Sequence, residues 1–421
     1  MKVIITPNKL SGKVKVPPSK SLLHRAIMAS SLAQGKSVIT NVSYSKDIEA
    51  TIKAMASFGA KINTFEDRIE IEGCYPKRIN DVIDANESGS TLRFIIPLAL
   101  LEDKPVTFVG HGKLPKRPLD PYFDIFRRAG IKYEKGEDNL PLKIEGKLKA
   151  SMYLIQGDVS SQFITGLLFT LPLLEGKSEL YITTEMESTS YVDLTLDILK
   201  KYGIEVENNH YHNFDVIGKQ SYKAHDYEVE GDYSQAAFFL VANMLGADIK
   251  VDGLKKDSKQ GDKKILEDIQ AFNGEIIYDN NLVSCKTDQI YANQISFSNS
   301  PDLGPILSVL AALAKGRTEF IHAERLRLKE CDRISCVVEE LTKLGANVTE
   351  TDDGMIFEGV NSFKGGVVDS HNDHRLAMAF AMASLKCEGE ITILNAECVA
   401  KSYPDFFKVF ESLGGKVRYE D

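Results

Sequence analysis

A chain of 421 residues in which 43% of the side chains are hydrophobic can bury a large core, and its length favours two or three domains. The formal net charge of −9 argues against a general nucleic-acid or anionic-membrane surface, so any site for acidic ligands must be a local concentration of Lys and Arg. The N-terminus lacks the apolar run of a signal peptide, and apolar stretches such as 163–174 are too short to span a bilayer. The sequence therefore predicts a soluble, cytoplasmic protein.

The first regular feature along the chain is a repeat of about seventy residues. Six amphipathic helical patterns end at a glycine and are followed at once by a short strand pattern. Spacings of 71, 73, 71, 71 and 69 residues separate these glycines, which are Gly59, Gly130, Gly203, Gly274, Gly345 and Gly414. A glycine after a helix is the usual left-handed stop, so a single one says little. Six at nearly constant spacing predict a repeated structural unit.

Each repeat contains a second helical pattern that begins with polar residues. In chain order these starts are SKSLLHRA (19–26), SGSTLRF (88–94), SSQFITG (160–166), DYSQAAF (232–238), DLGPILS (302–308) and NDHRLAM (372–378). An apolar run follows each start, and a strand pattern such as SVITNV (37–42) comes next. Three repeats make half of the chain, with the joint near 229–232, so the sequence predicts two similar α/β domains.

The polar helix starts carry candidate ligand-binding residues. Helix N-termini have unpaired N–H groups and partial positive charge, so several of them converging would favour an anion. The side chains at these starts are Lys20, Ser21, Arg25, Gly89, Ser90, Arg93, Ser160, Ser161, Gln162, Asp302, Asp373, His374 and Arg375. Loops before the other set of helices add Arg117, Ser188, Tyr191, Lys329, Glu330, Arg333 and Lys401. Arginine suits bidentate binding of phosphate and carboxylate, and lysine acts as a point charge.

Taken alone, each of these residues has an ordinary interpretation. Ser and Asp at helix starts usually serve as N-caps, and a lone arginine more often forms a surface or interdomain ion pair. Glu330 could pair with Arg333 on a surface, His374 could be a satisfied loop histidine, and Tyr191 could be packing. The ordinary interpretation fails for the set, because five of the six repeats place cations beside caps at equivalent positions. The set predicts a site for multiply charged anions.

The same segments carry a family resemblance. They are PPSKSLLHRA (17–26), ESGSTLR (87–93), KRP (116–118), DVSSQF (158–163), SPDLGP (300–305), RLKECDR (327–333), NDHR (372–375) and AKSYPDF (400–406). In this order they resemble the signature segments of the EPSP synthases, which are enolpyruvyl transferases. The resemblance runs from about residue 8 to residue 410. Departures include Glu87, where the family usually has Asn, and Arg325, which replaces an Asn.

The resemblance implies an α/β fold of two similar domains, each built of three βαβαββ repeats in an inside-out α/β barrel. It places 1–18 and 230–421 in domain 1, 19–229 in domain 2, and the active site in the interdomain cleft. The implied reaction joins the enolpyruvyl group of phosphoenolpyruvate to the 5-hydroxyl of shikimate 3-phosphate in the pathway to chorismate and aromatic amino acids. The family is the target of glyphosate. The resemblance also implies a monomer without metal or cofactor that contacts neither nucleic acid nor membrane.

The resemblance also assigns roles to individual residues. Shikimate 3-phosphate is assigned to Lys20, Ser21, Arg25, Ser160, Ser161, Gln162, Ser188, Tyr191, Asp302 and Lys329. Phosphoenolpyruvate is assigned to Lys20, Gly89, Arg93, Arg117, Gln162, Glu330, Arg333, His374, Arg375 and Lys401. Asp302 is the candidate base for the hydroxyl, with Lys20 close by, and Glu330 is the candidate acid and then base at the methylene carbon.

Two alternatives belong to the same kind of fold. The first is the enolpyruvyl transferase that acts on UDP-N-acetylglucosamine, a family with a reactive cysteine in the loop that here reads GHGKLPKRP (110–118) and has none. The second is a non-catalytic or RNA-end-processing relative. It would need a basic surface for the nucleic acid, against which the negative net charge argues.

Overall fold

The computed structural model describes residues 1–420, which form twelve α-helices, six four-stranded sheets and several short 3-10 turns. The helices are α1 (Lys20–Leu32), α2 (Lys46–Ala56), α3 (Gly89–Ala99), α4 (Asp120–Ala129), α5 (Ser161–Thr170), α6 (Thr189–Lys201), α7 (Tyr233–Met244), α8 (Ile265–Ala271), α9 (Gly304–Ala312), α10 (Arg333–Lys343), α11 (His374–Ala383) and α12 (Phe406–Ser412). No helix within residues 1–420 is both long enough and apolar enough to cross a membrane.

The strands are short and occur throughout the described chain. They are β1 (Lys2–Thr6), β2 (Ser11–Lys15), β3 (Gly35–Thr40), β4 (Lys61–Thr64), β5 (Arg68–Gly73), β6 (Val82–Asp84), β7 (Val106–Val109), β8 (Lys132–Lys135), β9 (Leu142–Glu145), β10 (Met152–Ile155), β11 (Lys177–Ile182), β12 (Glu207–Asn209), β13 (Asn213–Ile217), β14 (Tyr227–Glu228), β15 (Asp248–Asp252), β16 (Glu275–Asp279), β17 (Leu282–Lys286), β18 (Gln294–Ser296), β19 (Arg317–Ile321), β20 (Asn347–Glu350), β21 (Met355–Glu358), β22 (Gly366–Asp369), β23 (Ile391–Leu394) and β24 (Lys416–Glu420).

All six sheets share one topology. In the sheet ordered β6-β7-β9-β8, the first two strands are parallel and are joined through α3, and the remaining pairs are antiparallel. The sheets ordered β10-β11-β13-β12 and β18-β19-β21-β20 repeat this pattern around α5 and α9. The predicted βαβαββ repeat is therefore confirmed, with α3, α5 and α9 each in the crossover between two parallel strands.

Three sheets are completed by strands distant in sequence. β14 pairs in parallel with β3 and takes the first position in the sheet of α1. β2 takes the same position beside β15 in the sheet of α7. β1 lies between β23 and β24, so that Val3 faces both Ile393 and Tyr419. Every sheet therefore has four strands. In three of the sheets the completing strand is β1, β2 or β14, and neither the repeat spacing nor the periodicity of the sequence predicts these pairings.

The chain forms two compact units, each with its own core. Unit 1 contains Met1–Pro18 and the chain from Glu230 onward, and unit 2 contains Ser19–Val229. In unit 1 every residue of α7, α9 and α11 is buried, which accounts for the Ala- and Leu-rich runs of these helices. α10 is amphipathic instead, with Val337 and Leu341 buried and Glu339 exposed. The inner helices therefore fill the core, and their polar starts carry the candidate site residues.

The helix-stop glycines follow the prediction at five positions. Gly59, Gly130, Gly203, Gly345 and Gly414 have φ between 70° and 101°. The fourth repeat differs, because Asn273 takes the left-handed conformation with φ 72° while Gly274 does not. A Cβ at Gly274 would overlap the side chain of Ile269. This glycine is therefore needed for close packing, and the prediction of a left-handed stop was wrong there.

Candidate functional site

In unit 1 the candidate residues gather around one carboxylate. Asp302 Oδ1 lies 3.2 Å from Lys329 Nζ and 3.1 Å from Arg333 Nη1, and Asp302 Oδ2 lies 2.8 Å from Arg375 Nη2. Asp302 belongs to the 3-10 turn Pro301–Leu303, whereas α9 itself begins at Gly304. The Asp302 side chain remains 20% exposed. One accessible carboxylate therefore holds three cationic side chains together.

Arg333 is the most enclosed of these cations, with a side chain that is 1% exposed. Its Nε donates to Asp373 Oδ2 at 2.8 Å, and its Nη2 donates to Glu330 Oε2 at 2.9 Å. Burial opposes the charged form, but the carboxylates of Asp373, Glu330 and Asp302 hold the pKa of Arg333 well above its usual value. Arg333 is therefore a permanent charge that orients both Asp302 and Glu330.

The start of α11 is fixed by the buried carboxylate of Asp373. Asp373 caps the helix by accepting the Arg375 N–H at 2.8 Å, and it also accepts from the Arg333 guanidinium. Burial, the largest single influence, raises the pKa of Asp373, but the charge and hydrogen bond of Arg333 act with His374 in the opposite direction and leave the pKa lowered. Next to this cap, His374 is buried, and Arg375 Nη2 also donates to Ser234 Oγ at 3.1 Å.

Lys401 belongs to the same part of unit 1, in the 3-10 turn Ala396–Lys401. It is buried, and its Nζ donates to the carbonyl oxygen of Asn372 at 2.8 Å. Asn372 immediately precedes Asp373, so Lys401 lies against the loop that leads into α11. The structure thus brings together the candidates of unit 1 from two repeats, the fifth and the sixth. They are Asp302, Lys329, Glu330, Arg333, Asp373, His374, Arg375 and Lys401, and they form the unit 1 cluster.

In unit 2 the start of α1 presents Lys20, whose Nζ lies 2.9 Å from Asp47 Oδ2. One turn along α1, Arg25 is buried and donates from Nη1 to the Ser21 carbonyl at 2.7 Å and from Nη2 to the Tyr191 carbonyl at 2.9 Å. Its Nε donates to Thr195 Oγ1 at 2.9 Å. Burial lowers the pKa of Arg25 to about 10, so the guanidinium stays charged at neutral pH. Arg25 thereby joins the starts of α1 and α6.

The starts of α3 and α5 are joined by a second arginine. Arg93 Nη1 donates to Gln162 Oε1 at 2.8 Å, and Gln162 Nε2 donates to Ser90 Oγ at 2.9 Å. A Cβ on Gly89 would lie 2.6 Å from Arg117 Nη1, so only glycine leaves room for that guanidinium. The unit 2 cluster consists of residues in the first two turns of α1, α3, α5 and α6 or just before them, together with one arginine in the loop before α4. They are Lys20, Ser21, Arg25, Gly89, Ser90, Arg93, Arg117, Ser160, Ser161, Gln162, Ser188 and Tyr191.

The three serines of the unit 2 cluster have different environments. Ser160 caps α5 by accepting the Gln162 N–H at 3.3 Å, which is the ordinary role of a serine at this position. Ser161 is buried in the first turn of that helix. Ser188 is also buried and adopts φ 53° immediately before α6, a conformation that a non-glycine residue reaches only at some energetic cost.

Some residues that organise the site were not among the candidates for it. Asp47, which pairs with Lys20, reads in the sequence as an ordinary acidic residue in the first turn of α2. Thr195 and Thr165, which accept from Arg25, lie in the interiors of two different helices. Asp47, Thr195 and Thr165 are recognisable from their tertiary contacts and from no local signal. Asp373 is a candidate because it starts a helix, but its pairing with Arg333 is visible only in the structure.

Comparisons with known proteins identify the family of this chain. The family model described as EPSP synthase (3-phosphoshikimate 1-carboxyvinyltransferase) matches residues 4–410. This chain belongs to the EPSP synthase family. A 3-phosphoshikimate 1-carboxyvinyltransferase of Clostridioides difficile (strain 630) is 50% identical, covering 98% of this chain and 97% of that protein. One of Clostridium beijerinckii is 51% identical over the same shares.

A solved structure of the family has the same fold. The EPSP synthase from Acinetobacter baumannii, determined at 2.37 Å, matches with a TM-score of 0.81 and 27% identity, and the match covers 99% of this chain and 100% of that one. A second structure of the enzyme from the same organism gives a TM-score of 0.81 and 26% identity. The family membership inferred from the signature segments and the expected α/β fold are therefore confirmed.

The buried pair of Asp373 and Arg333 leads to a stability prediction. Replacing Asp373 with Asn keeps a good N-cap but leaves Arg333 without its main counter-charge, and breaking a buried pair in this way costs about 3–5 kcal/mol. We expect the Asp373→Asn variant to unfold at a clearly lower urea concentration at pH 7. The difference from wild type is complete above pH about 4 and shrinks as pH falls through the lowered pKa of Asp373.

Asp332→Asn is the matched control. Asp332 also caps a helix of unit 1, by accepting the N–H groups of Ile334 and Ser335, but its side chain is 38% exposed. We expect this variant to lose less than about 1 kcal/mol, because Asn caps nearly as well and exposed ion pairs contribute little. Urea unfolding of both variants is monitored by circular dichroism. Equal losses of unfolding free energy in the two variants would show that the buried pair contributes no more than the exposed one.

Proposed function

We propose that this chain transfers the enolpyruvyl group of phosphoenolpyruvate to the 5-hydroxyl of shikimate 3-phosphate and releases inorganic phosphate. The observation that carries the proposal is the arrangement around Asp302, where one partly exposed carboxylate lies within 3.2 Å of three cationic side chains. The curated relatives bear the name of this activity at about half identity over nearly their full length.

The charges of the two clusters suit the proposed substrates. Each substrate carries a phosphate and a carboxylate, so together they bring about six negative charges at neutral pH. Unit 1 offers Lys329, Arg333, Arg375 and Lys401, and unit 2 offers Lys20, Arg25, Arg93 and Arg117. We propose that both clusters bind the same pair of substrates. Eight cationic side chains would then surround two phosphates and two carboxylates.

The proposed ligand contacts follow the roles that the resemblance assigns. For shikimate 3-phosphate they are Lys20, Ser21, Arg25, Ser160, Ser161, Gln162, Ser188, Tyr191, Asp302 and Lys329. For phosphoenolpyruvate they are Lys20, Gly89, Arg93, Arg117, Gln162, Glu330, Arg333, His374, Arg375 and Lys401. The donors of Arg25 are largely engaged with protein acceptors, so we propose that it acts in part by fixing Ser21 and Tyr191.

The first proposed step is an addition. Asp302, assisted by Lys20, removes the proton of the 5-hydroxyl, and the oxygen forms a bond to carbon 2 of phosphoenolpyruvate. Glu330 delivers a proton to the methylene carbon, which becomes a methyl group. The product is a tetrahedral ketal phosphate. Arg333 suits this step because it hydrogen-bonds both Asp302 and Glu330 and so fixes the base and the acid relative to each other.

The second proposed step is an elimination. Glu330, now a carboxylate, removes a proton from the methyl group while the bond between carbon 2 and the phosphate oxygen breaks. The double bond re-forms, and the leaving phosphate takes up the proton that Asp302 removed from the 5-hydroxyl, so that it departs as hydrogen phosphate and both carboxyl groups return to their starting states. Arginine and lysine side chains stabilise the charge that develops on the leaving phosphate and on the neighbouring carboxylate. Both steps balance with the two substrates and protein side chains alone.

The alternative substrate considered from the sequence, UDP-N-acetylglucosamine, has no specific observation in its favour. The loop 110–118 lacks the cysteine of that family, and the relatives described above are named 3-phosphoshikimate 1-carboxyvinyltransferase.

We also propose that the protein acts as a monomer in the cytoplasm, where both phosphorylated substrates are available. Gel filtration at micromolar concentration tests the first point, since a dimer would elute at about twice the monomer mass.

The reaction is tested by measuring released phosphate with each substrate alone and then with both. We expect release only when phosphoenolpyruvate and shikimate 3-phosphate are present together, because the phosphate leaves from an adduct of the two. Equal release from phosphoenolpyruvate alone would indicate a phosphatase and would contradict the proposal. Incubation with UDP-N-acetylglucosamine in place of shikimate 3-phosphate checks the alternative acceptor in the same assay.

The acid and base roles are tested by near-isosteric variants. We expect Asp302→Asn and Glu330→Gln to lower kcat by about 10²–10⁴-fold, because a positioned acid or base contributes about that much. The controls are Asp288→Asn and Glu324→Gln, which make the same chemical changes at exposed positions of unit 1 and should leave kcat unchanged. Wild-type kcat in either site variant would remove that residue from the mechanism.

Lys329 makes the reaction pH-dependent. Burial disfavours its charged form and lowers its pKa to about 8, although Asp302 acts in the opposite direction. The ammonium is therefore lost as pH rises through about 8, and we expect kcat/KM for shikimate 3-phosphate to fall there. In Lys329→Arg the charge persists, so the fall should move to higher pH. An unchanged profile in that variant would assign the fall to another group.

A further inference from the structure

Behind the start of α11, the side chain of Glu340 is fully buried in the middle of α10. Its Oε1 accepts from Lys343 Nζ at 2.8 Å and lies 2.7 Å from His371 Nε2. Its Oε2 accepts from the backbone N–H of Asp369 at 3.0 Å. Glu339, Glu340 and His371 are close enough to surround a cation, but the ammonium of Lys343 already lies 2.9 Å and 2.8 Å from the two carboxylates.

The partners of Glu340 lie at the beginning of the loop that leads into α11. Asp369 ends β22, and the loop continues through His371 and Asn372, which adopt φ 50° and 58°. Two successive non-glycine residues in this region cost about 1–3 kcal/mol each, so surrounding contacts must hold them. The Glu340 carboxylate binds the imidazole of His371, and Lys401 donates to the carbonyl oxygen of Asn372.

One face of α10 holds both ends of this loop. Glu340 and Arg333 are seven residues apart, which is two helical turns, so their side chains lie on the same side of the helix. Arg333 binds Asp373 at the end of the loop, and Glu340 binds Asp369 and His371 at its beginning. The position of the α11 start relative to α10 is therefore determined by two buried charges of opposite sign on a single helix.

We infer that Glu340 is a positioning residue for the phosphoenolpyruvate half of the reaction. It touches no proposed substrate contact itself, but it holds the loop 369–373 that fixes His374, Arg375 and the partner of Lys401. This inference rests on the proposed function, in which His374, Arg375 and Lys401 bind phosphoenolpyruvate. Loss of the Glu340 carboxylate then weakens the binding of phosphoenolpyruvate specifically, while the contacts to shikimate 3-phosphate in unit 2 remain.

The experiment measures KM for each substrate and kcat in Glu340→Ala, Glu340→Gln and His371→Ala. We expect Glu340→Ala to raise KM for phosphoenolpyruvate about 10–100-fold, since misplacement by about 1 Å has effects of that size. KM for shikimate 3-phosphate should change less than about threefold, because its contacts in unit 2 are not displaced. Glu340→Gln keeps an acceptor for Asp369 and should rescue part of the loss, and His371→Ala should show a smaller shift in the same direction.

Glu339→Ala is the matched control, because Glu339 also pairs with Lys343 but is 56% exposed and, although its carboxylate lies within 4.8 Å of the His371 ring, it makes no hydrogen bond to the loop. Its KM values should equal those of wild type. A purely structural role for Glu340 would lower the thermal midpoint and kcat but raise neither KM selectively, and that result would overturn the inference; if Glu340→Ala does not fold, Glu340→Gln and His371→Ala decide in the same way. An inactive wild-type enzyme would instead contradict the proposed function, so the two failures are distinguishable.

Discussion

The sharing of the Asp302 carboxylate by Lys329, Arg333 and Arg375 is the interaction on which the site depends. Three cations held so close together in a partly buried place repel one another, and the repulsion grows as the local dielectric constant falls. Asp302 offsets it from the solvent side, and Glu330 and Asp373 offset it around Arg333. The unit 1 cluster therefore keeps three of its four cationic side chains close together by surrounding them with three carboxyl groups.

Unit 2 solves the same problem differently. Arg25 and Arg93 donate to neutral acceptors, which are backbone carbonyls, threonine hydroxyls and the amide of Gln162. Lys20 pairs with the carboxylate of Asp47. Neutral acceptors fix a guanidinium without cancelling its charge, so Arg25 and Arg93 are oriented while they remain cationic. Under the proposed function, both units supply positive charge, and unit 1 also supplies the acid and base groups.

Much of this arrangement could be predicted from the sequence, because it depends on local signals that recur. The spacing of the glycines indicated the repeat, and the polar starts of α1, α3, α5 and α11 indicated where cations would collect. The strand pairings of β1, β2 and β14 could not be found in this way, since they join parts of the chain far apart in sequence. Glu340 reads in the sequence as one of two acidic residues in an amphipathic helix, and only burial distinguishes it from Glu339.

The most direct test of the account is a crystal structure of the Asp302→Asn variant with shikimate 3-phosphate and phosphoenolpyruvate bound. The account predicts that Lys20 and Arg117 from unit 2, and Lys329, Glu330 and Arg375 from unit 1, all lie within hydrogen-bonding distance of the two ligands. Ligands held by one cluster alone, with the other open to solvent, would contradict the claim that the two sets of cations bind the same pair of anions.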